Sequence, residues 1–247
     1  MFLVLCSPQD LSALWAHEHL RTQTGSDVQL VTSGVLAAAL GWDHRLSPRE
    51  TSLRIRLADK REIDSARIDA VLNRLVEAPI PHWSGSMEED RLYVQQEMTA
   101  FYLSWLHGLP CPVFNPPTPQ GLCGAWRQES EWAMLAGEAG LPTPAYEQST
   151  RSRDDDPAST LRLRARGAAV YTAIVFQGTV TGLNLPRPLQ RACCALAELC
   201  STPLLGVEFT ASANGALQFA GATPMPDLRL GGRGFLEILK RAFARAA

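Results

Sequence analysis

The stretch Ile68-Asp69-Ala70-Val71-Leu72-Asn73-Arg74 is an apolar run closed by two polar residues. A run of this length suits a strand buried in a parallel sheet, and its polar end falls where open α/β sheets place ligands. Asn73 and Arg74 are therefore candidate contacts for a ligand or partner. Towards the N-terminus, Phe2–Cys6 is a similar run, 11–22 carries a helical rhythm at Leu11, Leu14 and Trp15, and Val28–Thr32 is another strand. Strand, helix, strand opens an α/β unit. The apolar stretch 35–40 then runs into a break at Gly41. In 51–68, Leu53, Ile55 and Leu57 alternate with polar residues, which predicts an exposed-edge hairpin turning at 58–60.

Towards the C-terminus, 79–87 reads as a loop carrying His82 and Trp83, two further candidate partner contacts beside Tyr93. The segment 88–107 predicts a helix with Leu92, Val94, Met98, Phe101, Tyr102, Trp105 and Leu106 mostly on one face, stopped by Gly108 and Pro110. A short strand at 111–115, a proline-rich crossing at 116–122 and a helix at 125–139 follow. Three consecutive aspartates at 154–156 mark 151–157 as an exposed linker. The periodicity then changes to two. Leu161, Leu163 and Ala165 alternate with Arg162, Arg164 and Arg166, and 170–176 faces 179–185 across Gln177-Gly178, a hairpin signal. A helix at 188–200, a strand at 204–209, a type I′ turn at Asn214-Gly215, a strand at 217–220 and a helix at 235–246 complete the chain. The fold class is α/β, with a parallel domain over 1–118 and an antiparallel α+β domain over 119–247.

The 23 basic and 25 acidic residues give a formal charge of -2, which excludes the basic footprint of a nucleic-acid binder. Only Lys60 and Lys240 are lysines, so any chemistry needing an ammonium group has two candidates. Six scattered cysteines without a CxxC pair read as free buried thiols. The N-terminus has no basic region of a signal peptide, and prolines or a turn interrupt both long uncharged stretches, so a soluble cytoplasmic protein with no membrane contact is expected. His17 and His19, two apart on a helix, cannot clamp one metal and read as surface residues. The motifs of zinc proteases, α/β-hydrolases, dinucleotide folds and P-loops are all missing. The glycines of 230–234 suit an anion cradle or a plain loop before a helix, and Arg162, Arg164 and Arg166 suit phosphate binding or a solvated sheet face.

Taken together, the strand ending in Arg74, the acidic helix start at Glu88–Asp90 with Glu97 beyond it, the Asn115-Pro116-Pro117 strand exit and Ala139-Gly140-Leu141-Pro142-Thr143-Pro144 resemble the ATP-grasp ligases. The likeness is to the branch that holds ribosomal-protein glutamate ligases and ligases cross-linking ribosomally made peptides. Leu205-Gly206-Val207-Glu208-Phe209, the Asn214-Gly215 turn and 218–226 resemble that family's late, metal-holding strands. The resemblance covers about three quarters of the chain. It implies a pre-ATP-grasp-like domain over 1–118 and a reduced ATP-grasp-like domain over 119–247.

Departures from that pattern bear on function. Glu208 occupies the first acidic position, yet Gly221 and Thr223 stand where the resemblance puts glutamate and asparagine, and a hard cation wants charged oxygen ligands. Neither lysine falls on the strands that would cover a nucleotide. Tyr171 or Thr172 stands where the family strand supplies an arginine. About two dozen residues separate Pro144 from Ala168, too few for the lysine-bearing subdomain that the resemblance implies there. Arg162, Arg164 and Glu208 would then be a vestigial nucleotide site without catalytic residues, metal or cofactor. The expected role is a degenerate scaffold binding a peptide, a carrier protein or a full-length ATP-grasp ligase. An active minimal carboxylate-amine ligase using ATP and Mg, and a small-molecule binding module, are the alternatives. The apolar strip Phe235, Leu236, Leu239 and Phe243 serves either the core or a homodimer.

Overall fold

The computed structural model describes residues 1–24, 27–47, 51–80, 88–144, 169–212 and 215–246. The chain divides into two compact units, Met1–Ala125 with Leu239–Ala247, and Trp126–Ile238.

The first unit contains β1 (Phe2–Cys6), α1 (Leu11–Thr24), β2 (Val28–Thr32), α2 (Ser33–Ala37), β3 (Gly41–Leu46), β4 (Thr51–Arg56), β5 (Glu62–Asp64), β6 (Ala70–Arg74), α3 (Glu88–His107) and β7 (Val113–Phe114). Its parallel sheet has the order β2-β1-β6-β7, with Phe2 beside both Val28 and Ala70, and Cys6 beside Arg74. Every residue of β1 and β6 is buried, as near-continuous apolar runs in parallel sheets require.

A second sheet of order β3-β4-β5 is antiparallel. The hairpin at 58–60 forms as expected, but β4 is its central strand and not an exposed edge, with Leu53, Ile55, Leu57 and Ile63 buried. Strand β3 covers it where the sequence suggested only a break at Gly41. The segment Gly-Trp-Asp-His-Arg-Leu has no apolar alternation to announce a strand, and it is anchored by Trp42, edge-on to Phe101, Tyr102 and Trp105, and by His44, edge-on to Phe101.

Helix α3 has its expected bounds, and Met98, Phe101, Tyr102, Trp105 and Leu106 of its expected face pack on the core, while the N-terminal end of that face does not. Tyr102, Trp105 and Leu106 are buried, whereas Leu92 and Tyr93 are 56% and 64% exposed. His17 and His19 are half-buried, each ring nitrogen meeting a backbone carbonyl, of Val28 and Trp15.

The second unit holds α4 (Glu129–Glu138), β8 (Tyr171–Phe176), β9 (Thr179–Thr181), α5 (Arg187–Leu199), β10 (Leu204–Ala211), β11 (Leu217–Thr223) and the first part of α6 (Gly232–Ala246). The sheet runs β11-β10-β8-β9, antiparallel throughout. Gln177 and Gly178, at φ 47° and 71°, form the predicted two-residue turn between β8 and β9. Helix α4 starts four residues later than expected because Gln128 is extended. Its end is set by Gly140 at φ 82°, where Gly140 N–H donates to Gly137 O and Leu141 N–H to Ala136 O. The core packs Trp132, Ala136, Val175, Leu196, Val207 and Phe219.

The strip on α6 is core. Phe235 lies against Phe176, Phe243 stacks on Phe2 at 4.6 Å, and Leu236 and Leu239 are buried. The glycines of 230–234 form no loop before it, since a 3-10 turn (Leu228–Gly231) leads directly into α6. Among the described residues no helix is long and apolar enough to cross a membrane. The 151–157 linker, the alternation at 161–166 and Asn214 lie outside the described residues.

Candidate functional site

On β10, Glu208 sits in register with Thr172 of β8 on one side and Gly221 of β11 on the other. Directly paired residues of an antiparallel sheet project to the same face, so Thr172 and Gly221 flank Glu208 on its face of the sheet. One supplies a hydroxyl and the other no side chain. A Cβ added at Gly221 would lie 3.5 Å from Glu208 Oε2, so position 221 looks straight at the carboxylate. The backbone there is irregular as well. The register shifts between Glu208 and Phe209, leaving Ala220 as the extra residue of a bulge, and Gly221 takes φ 155°.

Thr223, opposite Gly206, uses its Oγ1 to accept the Met225 N–H at 3.0 Å. Pro226 lies so close to Gly206 that a Cβ added there would come within 2.8 Å of the proline ring.

A divalent cation bridging phosphate oxygens needs several charged or carbonyl oxygens from the protein. Here the set is one carboxylate with a glycine, a bonded threonine and Thr172 around it, and among the described residues no group of three His, Cys, Asp or Glu could hold a metal ion. Lys60 and Lys240 both belong to the first unit, so the sheet of the second carries no ammonium group. These residues do not fit the Mg-nucleotide that the fold implies. Tyr171 is exposed at the start of β8, and Arg162 and Arg164 lie outside the described residues.

The other candidates fall at the carboxyl edge of the parallel sheet. Asn73 is fully buried, and its amide donates to Asn115 O at 2.9 Å and to Leu122 O at 2.5 Å while its Oδ1 accepts Leu75 N–H. It ties β6 to the segment after β7. Arg74, 3% exposed, donates from Nε to Asp10 Oδ2 at 2.6 Å and from Nη2 to Ser12 Oγ at 3.0 Å. Asp10 also caps α1 by accepting Ala13 N–H.

Burial by itself would raise the Asp10 carboxyl. The Arg74 hydrogen bond and charge, with Ala13 N–H and Ser12 Oγ, outweigh it and hold the group below its ordinary range. Cys6 beside this pair is pushed up to about 12, chiefly by burial, with Asp10 adding and Arg74 opposing. All six cysteines are free, and Cys6, Cys123, Cys193 and Cys200 are buried. Asn73 and Arg74 are thus packed inside an internal network and present no surface to a macromolecular partner. The sequence did carry a signal for the missing member, since Asp10 directly before an apolar periodic run is a helix-start signature. His82 and Trp83 lie outside the described residues.

No family model and no curated protein matches the sequence. Solved structures do resemble it. The macrocyclase MdnB from Microcystis aeruginosa MRC is 13% identical with a TM-score of 0.70, over 98% of this chain and 97% of that one. MdnC from the same organism, bound with precursor peptide MdnA, is 11% identical with a TM-score of 0.74, over 99% and 98%. The ATP-grasp ligase PsnB, complexed with minimal precursor, Mg and ADP, is 17% identical with a TM-score of 0.65, over 99% and 97%. At such identities the likeness bears on the fold, and the parallel unit followed by the antiparallel one is the arrangement that the sequence resemblance implied. The chain has an ATP-grasp-like fold.

Proposed function

We propose that this chain is a catalytically degenerate ATP-grasp-like protein that binds a peptide or protein partner in a peptide-modification pathway. The observation that carries the reading is the donor set on β10 and β11, where Glu208 faces Gly221 and Thr223 is already engaged with Met225. Carboxylate activation by ATP requires a cation and fixed positive charge around the transferring phosphoryl group, and neither can be assembled from these residues. In this reading 1–118 correspond to the pre-ATP-grasp part, 119–247 to a reduced nucleotide-binding part, and Arg162, Arg164 and Glu208 to a vestigial nucleotide site. A peptide partner is supported by the precursor peptides bound to MdnC and PsnB, and a full-length ligase is the other form of partner. Free thiols suit a reducing cytoplasm.

The retention of Glu208 favours a second reading, an active minimal carboxylate-amine ligase using ATP and Mg. Thermal melting separates the two. A ligand at one hundred times its Kd adds about 2.7 kcal/mol. For a chain of this size that is a rise of about 5–11 °C in Tm. The degenerate scaffold shows a change below about 1 °C with saturating Mg-ATP. A rise in the higher range, absent without Mg, supports the ligase instead.

A further inference from the structure

The second unit carries a groove that the nucleotide reading does not use. It runs between α5 and the hairpin of β8 and β9, with a volume of about 770 Å³, and is lined by Gly178, Val180, Arg187, Arg191, Cys194 and Glu198. A second hollow of about 350 Å³ shares Gly178, Cys194 and Glu198 and continues to Thr202 and Pro203. The two together follow the whole length of the 13-residue helix.

The charges along this groove are segregated. Arg187 and Arg191, one turn apart and both exposed, lie at one end, and among the described residues neither is paired with a carboxylate. Glu198 lies near the other end, ~16 Å along the helix from Arg187 at 1.5 Å per residue. Between them the floor is small and mostly apolar, formed by Val180, Ala195, Ala197 and Cys194, whose thiol donates to Gly178 O. The facing wall is β9, which among the described residues is the edge strand of its sheet. An extended chain covers ~16 Å in about five residues.

We infer that this groove docks an extended peptide segment of about five or six residues, acidic at the end over Arg187 and Arg191, small and apolar in the middle, and basic at the end over Glu198. The groove is long, open and oppositely charged at its ends, which suits an extended dipolar segment better than a compact metabolite. The inference rests on the peptide-partner reading above and not on the loss of phosphoryl chemistry.

Fluorescence anisotropy with the full chain tests it. Two labelled hexapeptides of identical composition are titrated, one running Glu-Asp-Val-Ala-Ala-Lys and the other Glu-Val-Lys-Ala-Ala-Asp, which is acidic at both ends, both with blocked ends. The first gives saturable binding, weakened about tenfold by Arg187→Ala with Arg191→Ala and severalfold by Glu198→Ala, and the second binds severalfold more weakly than the first. The variant Glu198→Arg reverses that preference. All three side chains are exposed, so the variants fold, and unchanged melting curves verify that. Saturation by neither peptide, equal affinity for both, or equal binding to the wild type and the double alanine variant, overturns the proposal. Those outcomes leave the Mg-ATP melting result unaffected, so a failure here is distinguishable from a failure of the scaffold reading.

Discussion

Asn73 and Arg74 have the polar character of a ligand-binding strand end, and both are used inside the protein. The Asn73 amide donates to two buried carbonyls, and Asn73→Ala removes that donor from each. We expect a loss of about 2–3 kcal/mol in urea unfolding. A loss below about 0.5 kcal/mol would mean that the buried amide contributes no more than an ordinary surface group. The pair Asp10 and Arg74 makes stability depend on pH with a definite sign. The folded carboxyl is depressed, so its contribution is complete above the unfolded value of about 3.8 and is lost as pH falls below that through the folded value. Below about pH 4 the wild type should lose stability more steeply than Asp10→Asn as the pH falls. Parallel curves for the two proteins contradict the pairing. At this scale the sequence was legible in residue type and not in role. Asn and Arg at a strand end look alike whether they meet a ligand or a neighbour 42 or 64 residues away, because such partners have no local trace.

Helix α5 ends through Ser201 at φ 50°, with Ser201 N–H donating to Glu198 O and Thr202 N–H to Ala197 O. This is the glycine position of a helix stop, filled here by a residue with a Cβ. Ser201→Gly should relieve the strain and raise stability by about 0.5–1 kcal/mol, read from urea midpoints. A decrease would mean that the added chain entropy or a lost side-chain contact outweighs the conformational gain. On β11, Gly221→Ala meets the converse problem, a side chain at φ 155° directed at Glu208, and should lower stability by about 1 kcal/mol. Elements with a strong period or turn signal were readable in advance, namely β1, β2, β6, α3 and the turn at Gln177-Gly178. Strand β3 was not, since pairing with β4 and the packing of Trp42 create it. Nor was the exposure of Leu92, because an apolar residue on a helix does not by itself reveal whether another element covers it.

At the scale of the molecule, the order of parallel and antiparallel parts was legible because it follows from a change in hydrophobic period. The same holds for the departure at the late strands, where Gly221 and Thr223 could be read directly and the register then set Gly221 opposite Glu208. What could not be read was the dipolar groove along α5, which exists only once β8 and β9 fold against that helix. An ATP-grasp-like scaffold with a single carboxylate on its late strands should accept peptide and refuse the Mg-nucleotide. Isothermal titration calorimetry of the full chain with ATP, with and without Mg, measures this directly. The account predicts no saturable heat that depends on Mg, in the wild type or in Glu208→Ala. Tight binding that requires Mg and disappears in Glu208→Ala would contradict it.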